Sequence, residues 1–320
     1  MSQRKLTRRQ ALFQTGLLAG AALTLGRSAV AQAPAPNATG KSNSAFRFSL
    51  NTATIRGQKV GIVKEVEIAS QAGYTGIEPW MDTIQQYTSG GGSLKDLRQR
   101  IADSGLTVEG AIGFPEWIVD DDGRRAKGLE RAKREMDIVA QLGGKRFAAP
   151  PAGATDLPKL DILKAAERYR ALLEVGDQIG VVPQMELWGF SKNLNRLGEC
   201  VCVAVETGHP KACVLADVYH LHKGGSDYRG MQLLNAVALH VFHMNDFPAE
   251  PPREKIDDSY RVYPGDGVGP LPEMLRTLRD TGGVKVLSLE LFNRQYWAQD
   301  PLEVAKTGLA KMKATAEKVA

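Results

Sequence analysis

Eight short apolar runs, each followed by a longer stretch of helical period, leave this chain few folds to choose from. The runs begin near Phe46, Ile77, Thr107, Arg146, Val182, Val214, Val241 and Val286. Helices are expected over 60–72, 94–104, 124–142, 160–178, 194–206, 228–236 and 271–280, with 301–320 closing the chain. Eight strand–helix units are the count of a (β/α)8 barrel, an α/β fold. Gly73, Gly105, Gly143, Gly180, Gly208 and Gly282 each stand where a helix wants a left-handed cap. The rival is a doubly wound open sheet, but no G-x-G-x-x-G follows the first strand.

In a barrel strand one parity faces the helices and the other faces the axis. The rows Leu287, Leu289, Leu291 and Val181, Pro183, Met185, Leu187 read as helix-facing, which turns Ser288 and Glu290, and Gln184, Glu186 and Trp188, inward. By the same rule Asp217 points inward from strand six, and His243 and Asn245 from strand seven. Glu186, Asp217, His243 and Glu290 thus converge from strands five to eight at the C-terminal rim. Three carboxylates there would repel one another and protonate unless a cation joined them. One divalent metal ion is the economical answer. Three oxygen ligands and one imidazole suit Mn²⁺, with Mg²⁺, Co²⁺ and Zn²⁺ as alternatives that the residues do not separate.

Over about residues 45 to 318 the chain resembles the xylose isomerase-like TIM barrel family, its inosose isomerase and ketose 3-epimerase branches above all. The resemblance rests on Met185-Glu186-Leu187-Trp188-Gly189, Ala216-Asp217-Val218-Tyr219-His220 and His243-Met244-Asn245-Asp246. It also rests on the run Arg261-Val262-Tyr263-Pro264-Gly265-Asp266-Gly267 leading to Ser288-Leu289-Glu290-Leu291-Phe292, which is most similar to the inosose isomerase pattern. It implies that Glu186, Asp217, His243 and Glu290 are metal ligands and that His220 contacts substrate. It also implies a substrate-contacting arginine after strand seven, which falls on Arg253 or Arg261. Lys192 stands where the ketose epimerases carry a glutamate, a departure that speaks against ketose epimerase specificity.

Such a centre acidifies the C–H beside a carbonyl and steadies an enediolate. The expected activity is therefore isomerisation or epimerisation of a keto-sugar or keto-inositol, with Glu186 and Glu290 as paired acid and base. Trp188 is expected to form an apolar wall, and Glu78 either lines the pocket mouth as a substrate contact, caps the next helix or pairs on the surface. The same enediolate could expel a β-substituent, which makes a dehydratase or a 3-keto-glycoside lyase the alternative. A non-catalytic sugar-binding protein is the alternative of another class.

Charge narrows the partners. The formal net charge of +5 is carried by Arg4, Lys5, Arg8, Arg9 and Arg27, all within an acid-free stretch of 31 residues. The remainder is formally neutral, which withdraws the main attraction to nucleic acid or an anionic membrane. A small carbohydrate is the expected partner, and a homo-oligomer is compatible with the sequence.

Arg8-Arg9 before the weakly apolar 16–25, followed by Ala29-Val30-Ala31, resembles a twin-arginine export signal. The expected organisation is a signal over 1–31, a Pro-, Ala- and Ser-rich linker over 32–44 and the barrel over 45–320. The location is then periplasmic, with no stable membrane insertion after cleavage. Cys200, Cys202 and Cys213 are an odd set and are expected to be buried thiols.

Overall fold

The computed structural model describes residues 45–319, so the expectations for 1–31 and 32–44 lie outside the described residues. Its strands are β1 Phe46–Asn51, β2 Gly76–Glu78, β3 Thr107–Val108, β4 Arg146–Ala149, β5 Val182–Glu186, β6 Val214–Asp217, β7 Val241–Met244 and β8 Lys285–Leu289. Their order is β3-β2-β1-β8-β7-β6-β5-β4, with every named pairing parallel. Ala148 N–H donates to Ala111 O at 2.9 Å and carries the hydrogen bonding from β4 back to the segment beyond β3. The fold is the expected (β/α)8 barrel.

Around it run α1 Ile62–Ala72, α2 Met81–Ser89, α3 Leu94–Asp103, α4 Asp122–Gln141, α5 Ile162–Ile179, α6 Leu197–Glu206, α7 Val218–Gly224, α8 Leu271–Asp280, α9 Arg294–Trp297 and α10 Pro301–Glu317. Aspartates set several starts. Asp161 accepts from Leu163 N and Lys164 N before α5, and Asp300 accepts from Leu302 N and Glu303 N before α10. All six expected cap glycines have positive φ. No described helix is long and apolar enough to cross a membrane.

Strand parity divides the core as expected. Leu50, Ile77, Met185, Phe242, Met244, Leu287 and Leu289 pack against the helices, whereas Ile112, Ala148, Leu215, Val241 and Val286 form a separate cluster beneath Trp80 and Phe114.

Three details differ from expectation. The helix expected over 228–236 is a 3₁₀ turn, Tyr228–Leu233, because only Met231 is buried along it and Gly230 weakens it. Helices α2 and α7 were not anticipated; α2 begins after Pro79 and Trp80, just past β2, and α7 begins directly at the end of β6, with Asp217 capping it by accepting from His220 N. Cys202 is exposed on α6 while Cys200 and Cys213 are buried, since residues two apart on a helix face different directions.

Candidate metal centre and its pocket

Each of the four expected ligands lies at or within one residue of the C-terminal end of its strand, where parallel pairing to a neighbouring strand fixes the backbone. Asp217 and His243 are register partners, as are His243 and Ser288. Glu290 follows β8, with its N–H donating to Met244 O. All four side chains are buried. Glu186, His243 and Glu290 each offer one atom within 4.8 Å of the others.

His243 Nδ1 lies 3.1 Å from Glu290 Oε2, 3.9 Å from Glu186 Oε1 and 4.0 Å from Asp217 Oδ2. Neither Nδ1 nor Glu186 Oε2 has a hydrogen-bond partner although both are buried. Buried polar atoms left without a partner are costly unless something joins them. One imidazole nitrogen and several carboxylate oxygens fit a divalent cation, so a candidate metal site is present. Asp217 sits at its edge. Its Oδ1 accepts from His220 N at 2.8 Å, and its Oδ2 accepts from Asn245 Nδ2 and Arg261 Nη1, each at 2.9 Å.

The protein supplies its own cation beside these acids. Arg261 is 1% exposed; its Nη1 donates to both Asp217 Oδ2 and Glu290 Oε2, and its side chain also pairs with Asp258. The guanidinium lies over the rings of Tyr219 and Phe292, at 4.6 and 5.0 Å. Burial pushes the Glu186 carboxyl up to about 8. Glu290, equally buried, is instead held at about 2 because His243 and Arg261 outweigh the burial. His243 is raised well above its ordinary value: burial opposes its charge, but Glu290 and Glu78 favour it more strongly. Two neighbouring glutamates are thus shifted in opposite directions, the arrangement an acid–base pair needs.

A cavity of about 220 Å³ opens above the cluster. Glu186, His220, Asp258, Arg261 and Glu290 give its polar lining; Trp80, Ile112, Phe114, Trp188, Phe190 and Phe292 give the rest. The rings touch in series, Trp80 with Phe114 and Phe292, and Trp188 with Phe114 and Phe190. His220 is buried, with Gly189 N–H pointing at its Nδ1 at 3.3 Å and Arg261 Nη2 standing 3.1 Å from its Nε2. Burial and the Arg261 charge hold it well below the usual histidine range, so it is neutral.

Of the two arginines left open by the sequence, Arg261 is in the pocket and Arg253 is not. Arg253 is half-exposed beside Gly225 and pairs with Glu254 on the surface. The antiparallel bridge between Asp246 and Val262 is what brings Arg261 back to the rim. Glu78 neither lines the cavity, nor caps α2, nor pairs on the surface. Its side chain is buried and absent from the cavity lining, and its Oε2 lies 3.1 Å from His243 Nε2. Parity carries it inward, but below the mouth.

Sequence reasoning missed Asn51, whose Nδ2 donates to Glu290 Oε1 at 3.0 Å while its Oδ1 accepts from Trp80 Nε1. The alternation rule applied to β1 would have found it. It also missed Phe292, which the same alternation past Glu290 turns inward, and Asp258, Phe114 and Phe190, which come from segments without regular period.

The family model described as xylose isomerase-like TIM barrel matches residues 66–315. An inosose isomerase of Bacillus velezensis is 25% identical over 280 residues, covering 85% of this chain and 98% of that protein. A 3-dehydroshikimate dehydratase of Pseudomonas putida is 23% identical over 252 residues, covering 78% of this chain but 39% of that longer protein. Among solved structures, the IOLI protein with a binding zinc atom superposes with a TM-score of 0.79 at 21% identity, covering 86% of this chain and 99% of that one.

Proposed function

This chain belongs to the xylose isomerase-like TIM barrel family, and from that premise we propose that it is a divalent-metal-dependent isomerase or epimerase of a keto-sugar or keto-inositol. The observation that carries the reading is the meeting of Glu186, His243 and Glu290 within 4.8 Å under an aromatic-walled cavity. Similarity to inosose isomerases over most of both chains supports it.

Glu186, His243 and Glu290 would hold the ion, with Asp217 at its edge; Mn²⁺ is the proposed metal because the donors are mostly oxygen. When bound, such an ion draws electrons from a carbonyl and its neighbouring hydroxyl, which acidifies the intervening C–H. One of Glu186 and Glu290 takes that proton and the other returns a proton to the adjacent carbon or oxygen. Arg261 and His220 orient substrate oxygens on the polar side. Trp188 and Phe114 cover the ring and keep water away.

Incubation with keto-inositols and ketohexoses in D₂O with Mn²⁺ tests the reading. An isomer carrying solvent deuterium supports it, and E290Q should lose the exchange while still binding metal. Exchange retained by E290Q removes that glutamate from proton transfer. Metal-dependent sugar binding without exchange in the parent protein means a binding protein instead.

A second reading is a dehydratase or a 3-keto-glycoside lyase, favoured by the similarity to 3-dehydroshikimate dehydratase. Release of water or an aglycone in the same incubation distinguishes it. We further propose that residues 1–31 direct export by the twin-arginine route to the periplasm.

A further inference from the structure

We propose that Glu78 is a positioning residue for the metal centre, acting through His243 without touching ion or substrate. The proposal rests on the metal reading above and concerns a strand, β2, that supplies none of the expected ligands.

An imidazole offers one N–H and one lone pair, and its function depends on which nitrogen has which. In His243 the nitrogen facing the acids is Nδ1, 3.1 Å from Glu290 Oε2. A proton held on Nδ1 would block the lone pair a cation requires, so the ring needs an N–H anchored on its other side. Glu78 is placed to anchor it. Its Oε2 lies 3.1 Å from Nε2, a carboxylate acceptor that fixes the ring with Nδ1 turned toward Glu290 and Glu186.

Two further observations fit a positioning role. Glu78 is absent from the cavity lining, so substrate does not reach it. Its seat is also close-fitting: a Cβ at Gly110 would fall 2.5 Å from Glu78 Oε1, so bare backbone is what accommodates the carboxylate. Asn51 holds Glu290 from β1 in a parallel way. The strands that carry no ligand thereby orient those that do.

The test is Mn²⁺ affinity, read as loss of the free-ion electron paramagnetic resonance signal. E78A should weaken binding by about 10- to 100-fold, and E78Q, whose amide oxygen still accepts from Nε2–H, should recover to within about fivefold of the parent. In an H243A background E78A should change nothing. The ¹H–¹⁵N imidazole spectrum of the metal-free protein, tractable with five histidines, should show a slowly exchanging, hydrogen-bonded Nε2–H of His243 in the parent and lose it in E78A. Parent-like Mn²⁺ affinity in folded E78A, an equal loss without His243, or an unchanged Nε2–H signal each overturns the proposal. If E78A does not fold, Gly110→Ala displaces the same carboxylate and carries the same expectations. A parent that binds no Mn²⁺ overturns the metal reading itself, and the ¹⁵N spectrum then decides about Glu78 alone.

Discussion

Arg261 Nη1 stands 2.9 Å from Glu290 Oε2, bringing a loop residue 29 positions upstream of the glutamate to the base of the pocket. The same nitrogen donates to Asp217 Oδ2, so a single guanidinium is shared by two buried acids. Removing it leaves those charges uncompensated, which costs about 3–5 kcal/mol. R261M should therefore lower the urea midpoint at pH 7 markedly. R261K should recover only part, since an ammonium has no planar fork to serve Asp217, Asp258 and Glu290 together. Wild-type stability in R261M would show that the acids are not held ionised by it.

A cation that binds only the folded protein raises its stability by mass action, about 2.7 kcal/mol at a hundred times its dissociation constant. Mn²⁺ should therefore raise Tm in a concentration-dependent way, chelator should reverse the rise, and H243A should abolish it. A Tm unmoved by Mn²⁺, Mg²⁺, Co²⁺ and Zn²⁺ would count against the centre.

The parity of the later strands was legible because parallel pairing leaves little freedom: once Leu287, Leu289 and Leu291 face the helices, Glu290 has one direction left. Depth was not legible. Glu78 points inward as its strand requires, yet whether it reaches the cavity or stops at His243 depends on stagger between β2 and β7, which no single strand encodes. Arg253 and Arg261 could not be separated for a related reason. Residues 247–260 have no period, and only the Asp246–Val262 bridge shows which arginine returns to the rim.

Glu65 on α1 is buried, and burial pushes its carboxyl from 4.5 up to about 7 despite a hydrogen bond with Thr52. The folded protein then binds a proton that the unfolded chain has released, so stability falls as pH rises from about 4.5 to 7. The contribution is roughly 3 kcal/mol at most by the pKa difference. E65Q should match the parent near pH 4.5 and exceed it at pH 8 in chemical denaturation. Parallel pH profiles for the two proteins would refute this.

Export by the twin-arginine route depends on a guanidinium pair that lysine does not replace. A reporter fused behind residues 1–44 should reach the periplasm with Arg8 and Arg9 intact, and R8K/R9K should retain it in the cytoplasm. Equal export of both would exclude the route.

Asp246 gives the glycine-rich run after Arg261 its physical meaning. Its Oδ1 accepts from Phe247 N and Gly269 N, and its Oδ2 from Gly265 N and Gly267 N, all between 2.8 and 3.1 Å. No side chain fits there: a Cβ on Gly267 or Gly269 would lie 2.5 or 2.7 Å from Oδ1. The backbone of Asp246 also exchanges hydrogen bonds with Val262, next to Arg261. An aspartate can accept all four N–H groups, whereas asparagine must turn an NH₂ toward two of them. D246N thus leaves two buried donors unpaired, at about 1–3 kcal/mol each. We expect faster hydrogen exchange at two of these amides and reduced activity through a displaced Arg261. Parent-like protection in D246N would mean that the loop holds its shape without the carboxylate, and Arg261 would then owe its position to its own partners Asp217, Asp258 and Glu290.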